Sequence, residues 1–307
     1  MDFCKKVMML IFIGVMAFAF SACGDKAVTP TGEPEETITK VLANLEEVKS
    51  MKSTITTQAD MTTAGSTSSV ATETEVTAVY SPLNMKIESK NTSSSNNVVV
   101  TYVEETDGVA TTYMEYAGQW MKQSSEPNII LDSLRMYDSK QNAILFLKNA
   151  ANWQETDGDD SLGVFQGTLP ANILYELVED TKSLQVMGMA GLTQEYYEGV
   201  SDAAITVTID KQNNLLMDYT VDLSNTLETL MNNVVNTFSS GTEEDELAKT
   251  IVNQYTLAVK CSDINSTKKV EIPKETLNSA VDFERQIENA VIVETPKGEN
   301  GEDLAVE

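Results

Sequence analysis

Residues 51–123 alternate apolar and polar side chains with a period of two, broken only by short runs of Gly, Ser, Asn, Asp and Pro. Successive side chains of an extended chain point to opposite faces, so this pattern predicts strands with one buried and one solvated face. The expected strands are 54–61, 72–80, 83–88, 98–105, 109–116 and 120–123. Between them lie turns at 65–69, at Pro82, at 91–97, at Asp107-Gly108 and at 117–119. Consecutive strands joined by short turns make an antiparallel meander. A meander with one apolar face must cover that face with a second layer.

The rest of the chain supplies that layer. Ile38, Val41, Leu42, Leu45 and Val48 recur at helical spacing over 35–50, with Glu35 and Glu36 where a helix dipole favours acids. Apolar residues between Ile129 and Leu147 mark further helix, and Pro170 opens a predicted helix over 171–186. Leu227, Leu230, Met231, Val234, Val235 and Phe238 form a stripe at spacings of three and four. Strands are expected at 153–155, 163–167, 204–210, 215–223 and 250–262, with 270–273 closing the fold. The acidic stretch 241–246 reads as a loop. The expectation is one α+β domain over 36–281, followed by an acidic, partly disordered tail at 282–307.

The first residues have a different character. Lys5 and Lys6 precede an apolar run over 7–20, and Ser21-Ala22-Cys23-Gly24 follows. Basic, apolar and small-residue regions in that order are the layout of a secretory signal, and the run is short for a bilayer crossing of about 20 residues. The Ser-Ala-Cys-Gly ending resembles the lipobox of bacterial lipoproteins, with Phe20 where Leu is usual. The resemblance implies a signal peptide over 1–22 and a mature chain beginning at a lipidated Cys23. Residues 23–35 then form a polar tether, and the protein sits on the extracytoplasmic face of the cell membrane.

Charge and composition exclude whole classes of function. The formal net charge is −26, and removing the signal, with its two lysines and Asp2, leaves −27. Such a balance disfavours nucleic acid and anionic lipid headgroups as partners. Histidine is absent, which removes His-dependent nucleophile systems and the usual His-containing zinc sites. Of the three cysteines only Cys261 lies in the body of the fold, where it reads as a small hydrophobe. Acidic runs at 157–160 and 243–245 lack the spacing of a calcium loop. No metal, cofactor or enzymatic activity is expected.

Several features now align with a family. A lipobox is followed by a tether, a helix ending Val48-Lys49-Ser50-Met51-Lys52-Ser53, and a Thr- and Met-rich strand. Further on come Tyr113-Met114-Glu115-Tyr116-Ala117-Gly118-Gln119-Trp120-Met121-Lys122, the strand pair around Asp210, and Glu271-Ile272-Pro273. The chain thereby resembles uncharacterised Gram-positive lipoproteins similar to the carrier LolA and the LppX/LprG group. That resemblance implies a strongly curved antiparallel sheet, an unclosed half-barrel, with helices across its concave face. In characterised relatives the concave face holds acyl chains.

Two functions follow as expectations. One is the binding or carriage of a hydrophobic, lipid-like ligand, with Met61, Met85, Met114 and Trp120 as candidate contacts because methionine adapts to irregular apolar surfaces. Core filling is the structural alternative for those methionines. The other function is a non-catalytic structural or signalling module that binds an envelope protein.

Overall fold

The structure is a computed structural model that describes residues 33–93, 98–116, 118–238 and 249–283. The expected signal over 1–22, the expected lipidation at Cys23 with most of the tether after it, the acidic run 241–246 and the tail beyond Phe283 lie outside the described residues.

Among the described residues twelve strands form one sheet in the order β12-β6-β5-β4-β3-β2-β1-β11-β10-β9-β8-β7. The first six are β1 (Ser50–Thr63), β2 (Ser66–Tyr80), β3 (Leu83–Asn91), β4 (Val98–Thr106), β5 (Val109–Tyr116) and β6 (Gln119–Ser125). These are the expected meander. Next come β7 (Ala151–Gly158), β8 (Leu162–Leu169), β9 (Ala203–Asp210) and β10 (Leu215–Asp222), which run inward from the opposite edge. The long β11 (Thr250–Ser262) joins the two runs by pairing with both β1 and β10. Every pairing is antiparallel except that of β12 (Val281–Asp282) with β6. β7 and β12 end the sheet without meeting, so it is an unclosed half-barrel with helices on one face.

The hairpins follow from local backbone chemistry. Ala64-Gly65 and Asp107-Gly108 both have positive φ at both positions, the left-handed pair whose twist matches a tight two-residue hairpin. The turn expected over 65–69 is therefore shorter than predicted, and its serines belong to β2. Those serines are exposed, which is why their polarity reads as loop in sequence.

Helix α1 (Glu33–Glu46) buries Ile38, Val41 and Leu45. It starts two residues ahead of expectation, and its end is closed by Lys140, whose Nζ donates to Glu46 O at 3.1 Å and Val48 O at 2.8 Å. α2 (Pro127–Ser133) and α3 (Ser139–Asn149) follow β6, and Asp138 caps α3 by accepting from Gln141 N at 3.1 Å. The helix expected over 171–186 is broken. Pro170 is its N-cap, a short 3-10 turn leads into α4 (Leu174–Thr181), and Lys182 adopts φ 54 and ends the run. Residues 182–202 hold only two short 3-10 turns. α5 (Ser224–Phe238) lies between β10 and β11 as expected, but only its first half is buried, and Phe238 is 83% exposed.

Residues 270–273, expected to close the fold, lie outside the ladders, and the buried Asn84 amide holds the segment: Oδ1 accepts from Val270 N at 2.7 Å and Nδ2 donates to Val270 O at 3.2 Å. The short α6 (Lys274–Ser279) then leads to β12. One side-chain amide takes the place of ladder pairing there.

Candidate functional site

Directly paired residues of neighbouring strands share a face, so the registers trace rows across the sheet. One row on the helix-covered face reads Phe165, Val207, Tyr219, Val259, Ile55, Thr74, Ser89, Val99, from β8 through to β4. The next reads Ile205, Val221, Leu257, Thr57, Thr72. Both change chemistry in mid-sheet. On β9–β11 the positions are large and apolar, and Ile55 continues this on β1. At Thr57 on β1, Thr72 and Thr74 on β2 and Ser89 on β3 they turn to hydroxyls on the same face.

A cavity lies at that change. It has a volume of about 50 Å³ and separates the sheet from the end of the helix layer. Ile55, Leu257, Met136 and Val186 make its apolar wall; Thr57, Thr72, Thr74 and Ser89 make the polar wall on the sheet. Asn142, Thr181, Lys182 and Ser183 close it from the helix side. Thr74 Oγ1 donates to Ser89 Oγ at 2.9 Å, so the two sheet hydroxyls are linked. Asn142 Nδ2 donates to Arg135 O at 3.0 Å and reaches Thr181 O at 3.4 Å, which fixes the amide in place. Asn142 Oδ1 and Ser183 Oγ have no hydrogen-bond partner among the described residues, although Asn142 is only 3% and Ser183 only 6% exposed. Buried polar atoms without partners are rare and point to a missing one. The single charged side chain in the lining, Lys182, lies 3.5 Å from Glu179 Oε2.

The expected contact residues are distributed differently from the cavity. Met85 is 1% exposed, paired with Val103 in the core beside Ile87. Met61 is buried on the same face at the far end of β1. Met114 is on that face too, opposite Thr101 and Met121, and is 44% exposed. Trp120 pairs with Glu115 and points to the other face, where its ring stands 5.9 Å from that of Tyr102. Met61, Met85 and Met114 thus share a face that Trp120 does not. None of the four lines the cavity, whereas Met136 does. Sequence reasoning missed Thr72, Thr74 and Ser89. The signal was present: Thr72 and Thr74 are in phase with Val76 and Ala78, and Ser89 with Met85 and Ile87.

Cys261 is buried opposite Ser53, and burial pushes its thiol up to about 12, which keeps it protonated and inert. Among the described residues no cluster of three acidic or sulfur ligands is placed to hold a metal. None of the described helices is long and apolar enough to cross a membrane. Two larger clefts, about 470 Å³ beside Glu195 and Glu198 and about 340 Å³ beside Asp132 and Asp180, are open to solvent and carry acidic side chains.

No protein-family model and no curated protein matches the chain. Solved structures do resemble it. Lipoprotein LppX of Mycobacterium tuberculosis is similar over 78% of this chain and all of its own, at 15% identity and a TM-score of 0.42. LprF of Mycobacterium bovis is similar over 80% of this chain and 98% of its own, at 14% identity and the same score. A putative outer membrane lipoprotein-sorting protein domain from Vibrio parahaemolyticus covers 80% of this chain and 96% of its own, at 7% identity and 0.22.

Proposed function

We propose that this chain is a lipid-anchored protein of the extracytoplasmic membrane face, held there by Cys23, that binds or carries a hydrophobic ligand between sheet and helix layer. The observation that supports it is the gap at Ile55, Leu257, Met136 and Val186, where the two layers fail to close on each other. Well-packed interiors leave few voids larger than a water molecule. A volume of about 50 Å³ is several times the ~10–15 Å³ that one water needs, yet well short of the ~300 Å³ of a small ligand pocket. An acyl chain therefore requires the helix layer, α3 with its Asn142 included, to shift away from the sheet. Residues 185–195 give that layer slack, because two short 3-10 turns and half-buried Met187, Met189 and Leu192 rearrange without unwinding a regular helix.

Native mass spectrometry of protein purified without detergent tests the reading. A reproducible bound mass that extracts as lipid, together with uptake of a fluorescent acyl probe, is the expected result. A bare mass with no probe uptake would favour the envelope-protein interaction module instead.

A further inference from the structure

We infer that the site selects an uncharged ligand whose polar end carries hydroxyl groups, seated against the Thr57–Thr72–Thr74–Ser89 wall. This rests on the hydrophobic-ligand reading and adds the chemistry of the head group. Four sheet residues that face the helix layer are hydroxyls where the same rows are apolar on the far side. A sheet face buried by helices usually carries apolar residues, and replacing them with threonine or serine weakens packing unless the hydroxyls find partners. Thr74 and Ser89 satisfy one another with one bond, which leaves each oxygen further capacity. Asn142 and Ser183 line the opposite side, and Asn142 Oδ1, an acceptor, and Ser183 Oγ, a donor and acceptor, are buried there without partners. Once the helix layer shifts, the set offers donors and acceptors on both sides, which matches O–H groups that both give and receive.

Charge excludes the other head groups. No carboxylate lines the cavity, and its one cation, Lys182, already has Glu179 beside it. A phosphate or fatty-acid carboxylate would be buried there without a free counter-charge, in a protein of strongly negative net charge. The apolar wall of Ile55, Leu257, Met136 and Val186 begins directly beside the hydroxyls and would take the first carbons of the chain. The volume of about 50 Å³ suits a head group of a few heavy atoms and no more.

Competition against a bound fluorescent acyl probe tests this on the whole chain carrying Cys23→Ser. The competitors are monodecanoyl glycerol, methyl decanoate and decanoate, which share one acyl chain. Monodecanoyl glycerol is expected to displace the probe at a concentration about fivefold or more below that of methyl decanoate, the effect of one or two neutral hydrogen bonds. Decanoate is expected to be the weakest. Ser89→Ala, and Thr74→Val as a second variant of similar size, should bring the displacing concentration of monodecanoyl glycerol to that of methyl decanoate; an advantage kept in both variants would overturn the assignment of the head group to this wall. Equal displacement by all three, or a preference for decanoate, would overturn the inference and leave hydrophobic-ligand binding standing. Failure of the probe itself to bind would overturn both.

Discussion

The two halves of the sheet, β8–β11 and β2–β5, are both antiparallel but are filled differently. On β8–β11 the inward row holds Phe165, Val207, Tyr219 and Val259, all buried, with the Phe146 ring of α3 5.9 Å from Tyr219. On β2–β5 the corresponding positions hold Thr74, Ser89 and an exposed Val99, and the neighbouring row ends at the exposed Met114. Buried Val76, Met85, Ile87 and Val103 carry the core into the second half, but there the inward row thins to hydroxyls beside a gap. The densest packing therefore lies in the first half, and the second has room for polar and exposed residues where a ligand site needs them.

Truncation separates the halves most sharply. Phe146→Ala should destabilise the protein by about 3–5 kcal/mol, the range for a fully buried aromatic ring, whereas Met114→Ala should stay within about 0.5 kcal/mol. Urea unfolding of both variants measures this, and equal effects would break the distinction. Asn84→Ala comes next. It removes both bonds to Val270, and a loss of about 1–3 kcal/mol is expected, with faster amide exchange at Val270. Unchanged exchange there would show that something else holds the segment.

A smaller, local check concerns the β7–β8 turn at the edge of the packed half. Asp159 accepts from the Ser161 hydroxyl and from the Leu162 and Ser161 N–H groups, which together hold its carboxyl at about 2 against an ordinary 3.8. Its folded value lies below its unfolded one. The stability it contributes is thus present above pH 3.8 and is lost as pH falls through about 2. Carbon-detected NMR should show the Asp159 carboxyl titrating near pH 2; a midpoint in the ordinary carboxylate range would mean the turn is open in solution.

Much of the packed half is legible in sequence because period and burial agree there. Ile205, Val207 and Ile209 alternate with polar residues, and all three are buried. The helix layer is less legible. Pro170 and the apolar residues after it read as one helix, yet Lys182 turns left-handed. The sequence around it carries no Gly at that point to signal the break. Residues 270–273 show a related limit: their apolar Val and Ile say nothing of what holds them, and that partner is the remote Asn84. The site is the least legible part. Methionine is an adaptable side chain, but Met85 and Met61 are buried in the core. The informative residues were the hydroxyls at inward positions, whose meaning depends on cross-strand register with β1 and β11. That register brings residues nearly two hundred positions apart into one row.

A reversible staple across the two layers tests most directly whether ligand lies between them. Ser53 Oγ on β1 and Ser139 Oγ on α3 are 2.7 Å apart and buried, close enough for a disulfide when both are cysteine. Cys261 pairs directly with residue 53 across the strands, so the staple belongs in a chain whose native cysteines are replaced. The measurement is uptake of a fluorescent acyl probe by the Ser53→Cys, Ser139→Cys protein, oxidised and then reduced. Loss of uptake on oxidation and its return on reduction is the predicted result; equal uptake in both states would contradict an interlayer site.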